Sequence, residues 1–509
     1  MTTHSAHEAD LQLLAQQFAE LSPFQCLTFH ANEFGDGLNV LKILQLWREN
    51  RPDNNSRLHI ITTAKLPLSS EELAQQLANA TDLSNLKNLL LAQYPPAISG
   101  VHRLIFKEER LTLDLWFGGV VNDLNEPTSP ISITPIKKDD SPTFAVIGAG
   151  IAGLSITHAL TNRGYAVTLI EQDEPLSGAS GNPCALLLSK LPKLNRASGN
   201  LQTMGALTTV RLWQNWANDV VVSKGAILQI DGDDLEKIKD YPANVVQVIN
   251  ATEALKKAKI ECSTDYMFMP GAAGIDPQAI RKHVLASPLV TLVKAQAKQL
   301  VQTHDESQWI VLDDNSDHIM QATKVIVANA KNSVTLCPTL PPLTVIRGQM
   351  SWLAAPEKSP SFALGYGGYA ATFKNDFLLG SSFVRDDECT DIRLTEHDSN
   401  LALLENNFPQ LAAQLPPTTT WQGRVSLRAL PRDSMPVVGA VPQMDNVFVL
   451  AGLGSKGFSF APLCAELLAA QMLGEALPMT DKLAAAIRPD RFIKKERVRK
   501  PYYTALKDN

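Results

Sequence analysis

This 509-residue chain lacks several features that mark whole classes of protein. It has no apolar run of the roughly 18 residues that a membrane-spanning helix needs. Its N-terminus does not carry a basic segment followed by an apolar one. Neither a membrane span nor a secretory signal is therefore predicted.

Cysteine and histidine are sparse and do not form ligand patterns. The six cysteines include no C-x-x-C pair, and the ten histidines form neither H-x-x-x-H nor H-E-x-x-H. A disulfide framework and a metal site are therefore not expected, and reduced thiols fit a cytoplasmic protein. The cysteines are Cys26, Cys184, Cys262, Cys337, Cys389 and Cys464.

A surplus of positive charge is also missing. The formal net charge is −6 and the isoelectric point is about 6.0, which argues against a whole-surface nucleic-acid binder. One local exception is the segment 488–500, with seven basic residues against two acidic ones. This segment either contacts phosphates or forms a solvated helix face.

A proline-rich linker at 125–142 divides the chain. Separated apolar runs and glycines after it predict a nucleotide-binding domain built from several segments, with a β-rich domain inserted. The predicted division is 1–124; linker 125–142; nucleotide-binding 143–215, 275–335 and 420–480; substrate domain 216–274 and 336–419; basic tail 481–509.

The most specific motif begins the second part. The apolar run 144–147 leads into Gly148, Gly150 and Gly153 at G-x-G-x-x-G spacing, a helical stretch follows, and a second apolar run ends on Glu171. The glycines allow a tight turn, close approach of a pyrophosphate and close helix–strand packing, while the acid can bind a ribose hydroxyl. A dinucleotide site is predicted here.

Five motifs along the second part carry a family resemblance. They are Gly148-x-Gly-x-x-Gly153, Gly178-Ala-Ser-Gly-Asn182, Arg428-x-x-x-Arg-Asp-x-x-Pro-x-x-Gly439, Gly452-x-Gly-Ser-Lys-Gly457 and Ala461-Pro-Leu-Cys-Ala-Glu466. With these motifs the chain resembles FAD-dependent amine oxidases of the glycine/sarcosine oxidase type and, more closely, the bifunctional bacterial tRNA 5-methylaminomethyl-2-thiouridine biosynthesis proteins. The resemblance implies an α/β fold, with a Rossmann-type FAD-binding domain, an inserted β-rich substrate domain and a partial methyltransferase fold before them.

The first part resembles the methyltransferase half of that family but departs from it. Glu33 and Asp36 replace a glycine and a threonine of the cofactor loop, and a carboxylate there would repel the carboxylate of S-adenosylmethionine. Ala64 replaces the acid expected for the ribose. The family's Asp-Gly-Phe-x-Pro segment is missing after Gly118. A degenerate remnant without methyl transfer is expected.

The resemblance also implies site residues. Besides the glycine turn and Glu171, the segment Ser180, Gly181 and Asn182 is expected near the flavin ring. The segment Gly454, Ser455, Lys456 and Gly457 is expected at the flavin's pyrimidine edge, where it would stabilise negative charge. A plain turn and an exposed lysine are the respective alternatives.

For the substrate, the resemblance implies a secondary amine with a carboxymethyl group. Arg428 is the candidate for a bidentate contact with its carboxylate, against a structural salt bridge. Tyr366, Tyr369 and Arg347 are weaker candidates for the pocket wall.

The implied function is FAD-dependent oxidation of the carboxymethylaminomethyl group on the wobble uridine of tRNA, which leaves an aminomethyl group. Three alternatives remain: a bifunctional protein that still methylates, a free glycine/sarcosine-type oxidase, and a non-catalytic flavin-bearing tRNA-binding protein. FAD is the expected cofactor and tRNA the expected partner, with no metal and no membrane.

Overall fold

The computed structural model describes residues 2–493 except 32, 119–130, 134–141, 217–218, 231 and 260–264. Most of the predicted linker and the basic residues from 494 onward therefore lie outside the described residues. The same holds for Cys262.

The first part forms a five-stranded sheet in the order β3-β4-β2-β1-β5. β1, β2 and β4 are parallel, while β3 is antiparallel to β4 and β5 to β1. The strands are β1 (Cys26–His30), β2 (Arg57–Ala64), β3 (Gly100–Phe106), β4 (Leu111–Phe117) and β5 (Ile131–Ile133). The helices are α1 (Thr2–Ala19), α2 (Leu38–Asn50), α3 (Ser70–Gln76) and α4 (Ser84–Gln93).

The linker prediction needs one correction, because β5 lies inside 125–142 and pairs with β1. Three residues are too few to give a strand periodicity, so only the pairing partner makes this segment a strand.

The second part contains the remaining elements. Strands β6 to β24 are Phe144–Ile147, Val167–Glu171, Ala185–Leu187, Val221–Gln229, Gln247–Ile249, Tyr266–Ile275, Val290–Lys294, Gln299–Gln302, Trp309–Leu312, His318–Ala322, Lys324–Val327, Thr344–Ala354, Ala363–Gly365, Tyr369–Phe373, Asp376–Gly380, Val384–Arg385, Gln422–Leu430, Val437–Ala440 and Val447–Ala451. Helices α5 to α14 are Ile151–Thr161, Leu201–Trp216, Gly232–Ile238, Ala251–Ala258, Pro277–Leu285, Ser333–Leu336, Leu394–Asn407, Pro409–Ala412, Gly457–Leu473 and Asp481–Ala485.

A six-stranded sheet in the order β12-β7-β6-β16-β24-β23 forms the nucleotide-binding core. All its pairs are parallel except β23 with β24. β6, β16 and β24 are short apolar runs with almost no exposed residue, as expected for strands covered on both faces. The predicted strand–helix–strand unit after 143 is confirmed.

The helix predicted at 275–285 is also confirmed as α9. Its N-cap is Asp276, whose carboxylate accepts hydrogen bonds from the backbone N–H groups of Gln278 and Ala279, and Pro277 occupies the first helical position.

A large mixed sheet lies beside this core, in the order β10-β11-β9-β18-β19-β20-β17-β21. β22 pairs with β17, and β8 pairs with β11. The predicted boundaries assign β22 and β8 to the nucleotide-binding segments, whereas their hydrogen bonds go to this mixed sheet. The strands β13, β14 and β15 form a separate small sheet.

Buried charges join the first part to the second. Asp114 of β4 accepts hydrogen bonds from Arg103 of β3 at 2.6 and 2.8 Å and lies 2.8 Å from Nε2 of His59. These three side chains are at most 1% exposed. Arg103 also donates to the carbonyl of Ala476 at 2.7 Å and lies 3.6 Å from Glu466 of α13.

The same interface contains a second cluster of charges. Arg163, just after α5, binds Glu466 and Glu475 at 2.9 Å each. Arg57 of β2 forms an ion pair with the same Glu475. The pKa of the Glu475 carboxyl falls to about 2 because its arginine partners outweigh the opposing effect of burial. The two parts of the chain are therefore held together by charges that neither part compensates alone.

Candidate active site

A cavity of about 950 Å³ lies at the carboxyl ends of the parallel strands β6, β7, β16 and β24. Its opposite wall comes from the mixed sheet, including Ser381 and residues 425–429. Ligands of open α/β sheets bind outside the carboxyl ends of the strands, so the topology places this cavity where a dinucleotide is expected.

The three glycines of the turn are needed for different structural reasons. Gly148 has φ +100°, which favours glycine, and a Cβ at Gly153 would lie 1.8 Å from the carbonyl oxygen of Gly148. At Gly150, by contrast, the nearest atom to a Cβ would be Oγ of Ser180 at 3.5 Å. Protein atoms therefore require glycine at Gly148 and Gly153, whereas at Gly150 close approach of a ligand is the remaining reason for glycine.

Glu171 ends β7 in the cavity wall. Its carboxylate accepts hydrogen bonds from the backbone N–H of Ala149 at 2.6 Å and from that of Asp173 at 3.1 Å. The acid therefore lies directly beside the glycine turn, as the prediction of a ribose contact requires.

The segment 176–182 covers the turn. Ser180 and Asn182 border the cavity, and the hydroxyl of Ser180 accepts from the N–H of Ile151 at 3.0 Å, at the start of α5. Gly181 is not in the wall: a Cβ there would lie 2.2 Å from the carbonyl oxygen of Leu176.

Arg424 of β22 was missed by the sequence analysis. Its guanidinium donates to the carbonyls of Ser177 and Gly178, the latter at 2.7 Å, and so fixes the segment 176–182 to the mixed sheet. The only signal in the sequence is its regular spacing from Arg428, four residues later in the same strand.

A second helix points at the cavity. The segment Gly454–Lys456 is a 3-10 turn that borders the cavity and leads into α13 at Gly457. The N-termini of α5 and α13 both present backbone N–H groups and a positive dipole end there. Lys456 is half-buried, and burial together with the nearby Lys190 lowers the pKa of its ammonium group.

Arg428 lies in the cavity wall opposite these helices and is only 8% exposed. Its Nη2 donates to the hydroxyl of Ser381, and none of the ion pairs found in the described part of the chain involves it. Burial lowers the pKa of its guanidinium. The absence of Cβ at Gly348 leaves room for the group, since a Cβ there would lie 2.2 Å from Nη2.

The two tyrosines occupy different environments. Tyr369 borders the cavity, and burial raises the pKa of its hydroxyl to about 12, against the opposing effect of Arg428. Tyr366 is not in the wall. Its ring packs edge-on against Phe408 at 5.7 Å, and its hydroxyl donates to the carbonyl of Tyr369 at 3.3 Å.

Arg347 is also outside the wall, although it is fully buried. It forms a 2.8 Å ion pair with Glu396 and donates to the carbonyls of Asp391, at 2.8 Å, and Cys389. Its donors are used to fix the loop before α11, so they are not available to a substrate.

The wall of the cavity is predominantly positive. Among the described residues that form it, the cations are Arg428, Lys298, Lys456 and Lys331, the last paired with Glu388, whereas Glu171 is the single acid. Such a wall favours anionic ligands. Among the residues described, no cluster of side chains suits a metal ion, and no helix is both long and apolar enough to cross a membrane.

Residues 143–471 match the family model described as FAD dependent oxidoreductase. The glycine turn, the adjacent acid and the open space at Gly150 fit that cofactor. The chain is therefore an FAD-dependent oxidoreductase.

Solved structures agree in fold. Glycine oxidase from Geobacillus kaustophilus superposes with a TM-score of 0.57 at 18% identity, covering 69% of this chain and 98% of that one. L-proline dehydrogenase from P. horikoshii gives 0.58 at 16% identity, covering 70% and 99%.

A more similar sequence covers both parts of the chain. The tRNA 5-methylaminomethyl-2-thiouridine biosynthesis bifunctional protein MnmC of Acinetobacter baylyi is 32% identical over 97% of this chain and 92% of that protein. The chain belongs to this family.

Proposed function

We propose that this protein oxidises the carboxymethylaminomethyl group of the wobble uridine in tRNA and leaves an aminomethyl group. The tRNA substrate follows from the family, whose members are named for the biosynthesis of a modified tRNA nucleoside. The observation that supports the carboxymethyl group is Arg428, a buried guanidinium that faces the cavity without a carboxylate partner among the described residues.

A buried arginine without an anion is costly, because desolvation is not compensated by a charge partner. A substrate carboxylate would supply that partner and could accept two parallel hydrogen bonds from the guanidinium. Tyr369, beside Arg428 in the wall, could donate a further hydrogen bond, since its raised pKa keeps the hydroxyl protonated.

FAD, held at the glycine turn and Glu171, would supply the two-electron oxidation of the carboxymethyl C–H bond next to the amine nitrogen. The resulting substrate imine adds water and divides into the aminomethyl nucleoside and glyoxylate. The chain's own task is to bind the amine in its neutral form, because a protonated nitrogen cannot form the imine. Arg428 and Lys456 favour that form through like-charge repulsion.

The wall residues that the structure describes offer no strong base for this step. Glu171 is the single acid among them and is bound to the glycine turn. We therefore assign no catalytic base. The positive end of α13 and Lys456 would stabilise negative charge on the cofactor ring.

We further propose that the first part no longer transfers methyl groups. Oδ1 of Asp36 accepts from the N–H of Leu38 at 2.9 Å and so occupies a donor at the start of α2. Phe34 is 3% exposed and stacks on Tyr94 at 5.9 Å, which fills space beside the carboxyl end of β2. The alignment with the Acinetobacter relative spans 581 positions, more than this chain has residues, so the relative contains residues that are missing here.

Mass spectrometry of tRNA from a deletion strain tests the function. Accumulation of 5-carboxymethylaminomethyl-uridine, reversed by the purified protein with FAD, is expected. Unchanged tRNA together with glycine oxidation would instead indicate a free amino-acid oxidase. Unchanged tRNA and no turnover would indicate a flavin-bearing binding protein. Formation of methylaminomethyl-uridine by the protein with S-adenosylmethionine would indicate a working methyltransferase.

A further inference from the structure

Phe383 is an exposed aromatic residue in the wall of the cavity. It lies between β20 and β21, borders the cavity and is 55% exposed. Isolated exposed apolar residues are common on protein surfaces. This one differs from Ile392 and Leu394, which are exposed by 54% and 46% but do not border the cavity.

The distance between Phe383 and the Arg428 contact matches the length of the carboxymethylaminomethyl group, here called the substrate arm. It follows Ser381 by two residues, and the Ser381 hydroxyl accepts a hydrogen bond from Arg428. Two residues of chain span at most about 7 Å. In the substrate, four bonds of about 1.5 Å separate the carboxylate carbon from the uracil ring, a reach of roughly 5 Å. A carboxylate at Arg428 therefore brings the base within reach of Phe383.

The charges around Phe383 suit a base better than a phosphate. The guanidinium of Arg385 lies 5.8 Å from the centroid of the Phe383 ring and forms a cation–π contact with it. Asp387 is paired with Arg393, and Glu388 with Lys331, while Asp386 and Asp391 are exposed. Since the first two acids are offset by their cationic partners, it is Asp386 and Asp391 that disfavour a phosphate in this loop. An aromatic ring with a nearby arginine is a combination on which proteins stack unpaired bases.

We propose, on the basis of the function proposed above, that Phe383 is the stacking platform for the base of the substrate nucleotide. It would then select a nucleoside-borne amine over a free amine with the same carboxymethyl group. The base would lie at the cavity mouth, with its arm directed inward to Arg428.

Steady-state kinetics of the full-length FAD-loaded enzyme test this role. Phe383→Ala should raise KM for tRNA carrying 5-carboxymethylaminomethyl-uridine by about 5- to 150-fold, the loss of one base stack, with a smaller change in kcat. Phe383→Tyr should restore most of the affinity. N-methylglycine is measured as a substrate or as a competitive inhibitor. Its KM or inhibition constant should stay at the wild-type value, because this amine carries no nucleobase.

Ile392→Ala is the matched control and should behave as wild type on both compounds. An unchanged KM for the tRNA in Phe383→Ala would overturn the platform, and so would an equal weakening of tRNA and N-methylglycine. A wild-type enzyme that oxidises no modified tRNA would overturn the proposed function itself. The two failures are therefore distinguishable.

Discussion

Two buried arginines on neighbouring strands, Arg428 on β22 and Arg347 on β17, should respond in opposite ways to the same substitution. Methionine has a similar length and no charge, so it removes the guanidinium without leaving a large cavity. Arg347→Met leaves the buried Glu396 without its 2.8 Å partner. The expected loss is about 3–5 kcal/mol in the free energy of unfolding.

For Arg428→Met, the loss of a hydrogen bond is offset by relief of a desolvation cost. The variant loses one hydrogen bond to Ser381, about 1 kcal/mol, but no longer keeps an unpaired guanidinium away from water. Its free energy of unfolding should therefore stay level or rise. Its kcat/KM on modified tRNA should fall on the order of 30- to 1000-fold, because a charged contact to the substrate carboxylate is lost. This factor corresponds to about 2–4 kcal/mol of transition-state stabilisation.

Urea unfolding, the flavin absorption spectrum and kcat/KM of both variants together decide the matter. Arg428→Lys should recover only part of the activity, since lysine lacks the planar fork. Loss of flavin or of stability in Arg428→Met would show that this arginine is structural. Full activity in that variant would mean that another group holds the carboxylate, with Lys456 the next residue to test.

Three further predictions concern the cofactor, the first part and the interface. Gly150→Val should fold but lose FAD, measured as a colourless protein with the thermal stability of the wild-type apoprotein, because its side chain projects into the cavity instead of into protein. Calorimetry should detect no S-adenosylmethionine binding, and micromolar affinity would contradict the repulsion assigned to Asp36. Glu475→Gln should lower the free energy of unfolding by about 3 kcal/mol at neutral pH, because the pKa of Glu475 is lowered from 4.5 to about 2 in the folded protein. That stability is present above pH 4.5 and is lost as the pH falls toward 2, so pH-dependent unfolding of the variant should lack this part of the decline.

Local patterns allowed a large part of the fold to be predicted. The strand–helix–strand unit, α9 with its Asp276 cap and the buried strand β16 all follow from spacing and from the conformational limits of glycine and proline. The dinucleotide end of the cavity could be predicted equally well, because Gly148, Gly150 and Glu171 lie within one short unit whose geometry is set by the backbone.

Tertiary structure decided what depends on partners distant in sequence. Arg347 and Arg428 look alike in the sequence, but only the fold places Glu396 against Arg347 and leaves Arg428 facing the cavity. Tyr366 and Tyr369 stand three residues apart, yet a turn between β18 and β19 sends one ring into the core and the other to the cavity.

The same holds for the junction of the two parts of the chain. Arg163 meets Glu466 across 303 residues of sequence. A charge in a sequence has no defined partner until the chain is folded, whereas a turn or a helix start is specified by the few residues that form it. Local sequence therefore specifies the glycine turn and many of the helices and strands, whereas only the folded chain shows which buried charges are paired within the protein and which face the ligand cavity.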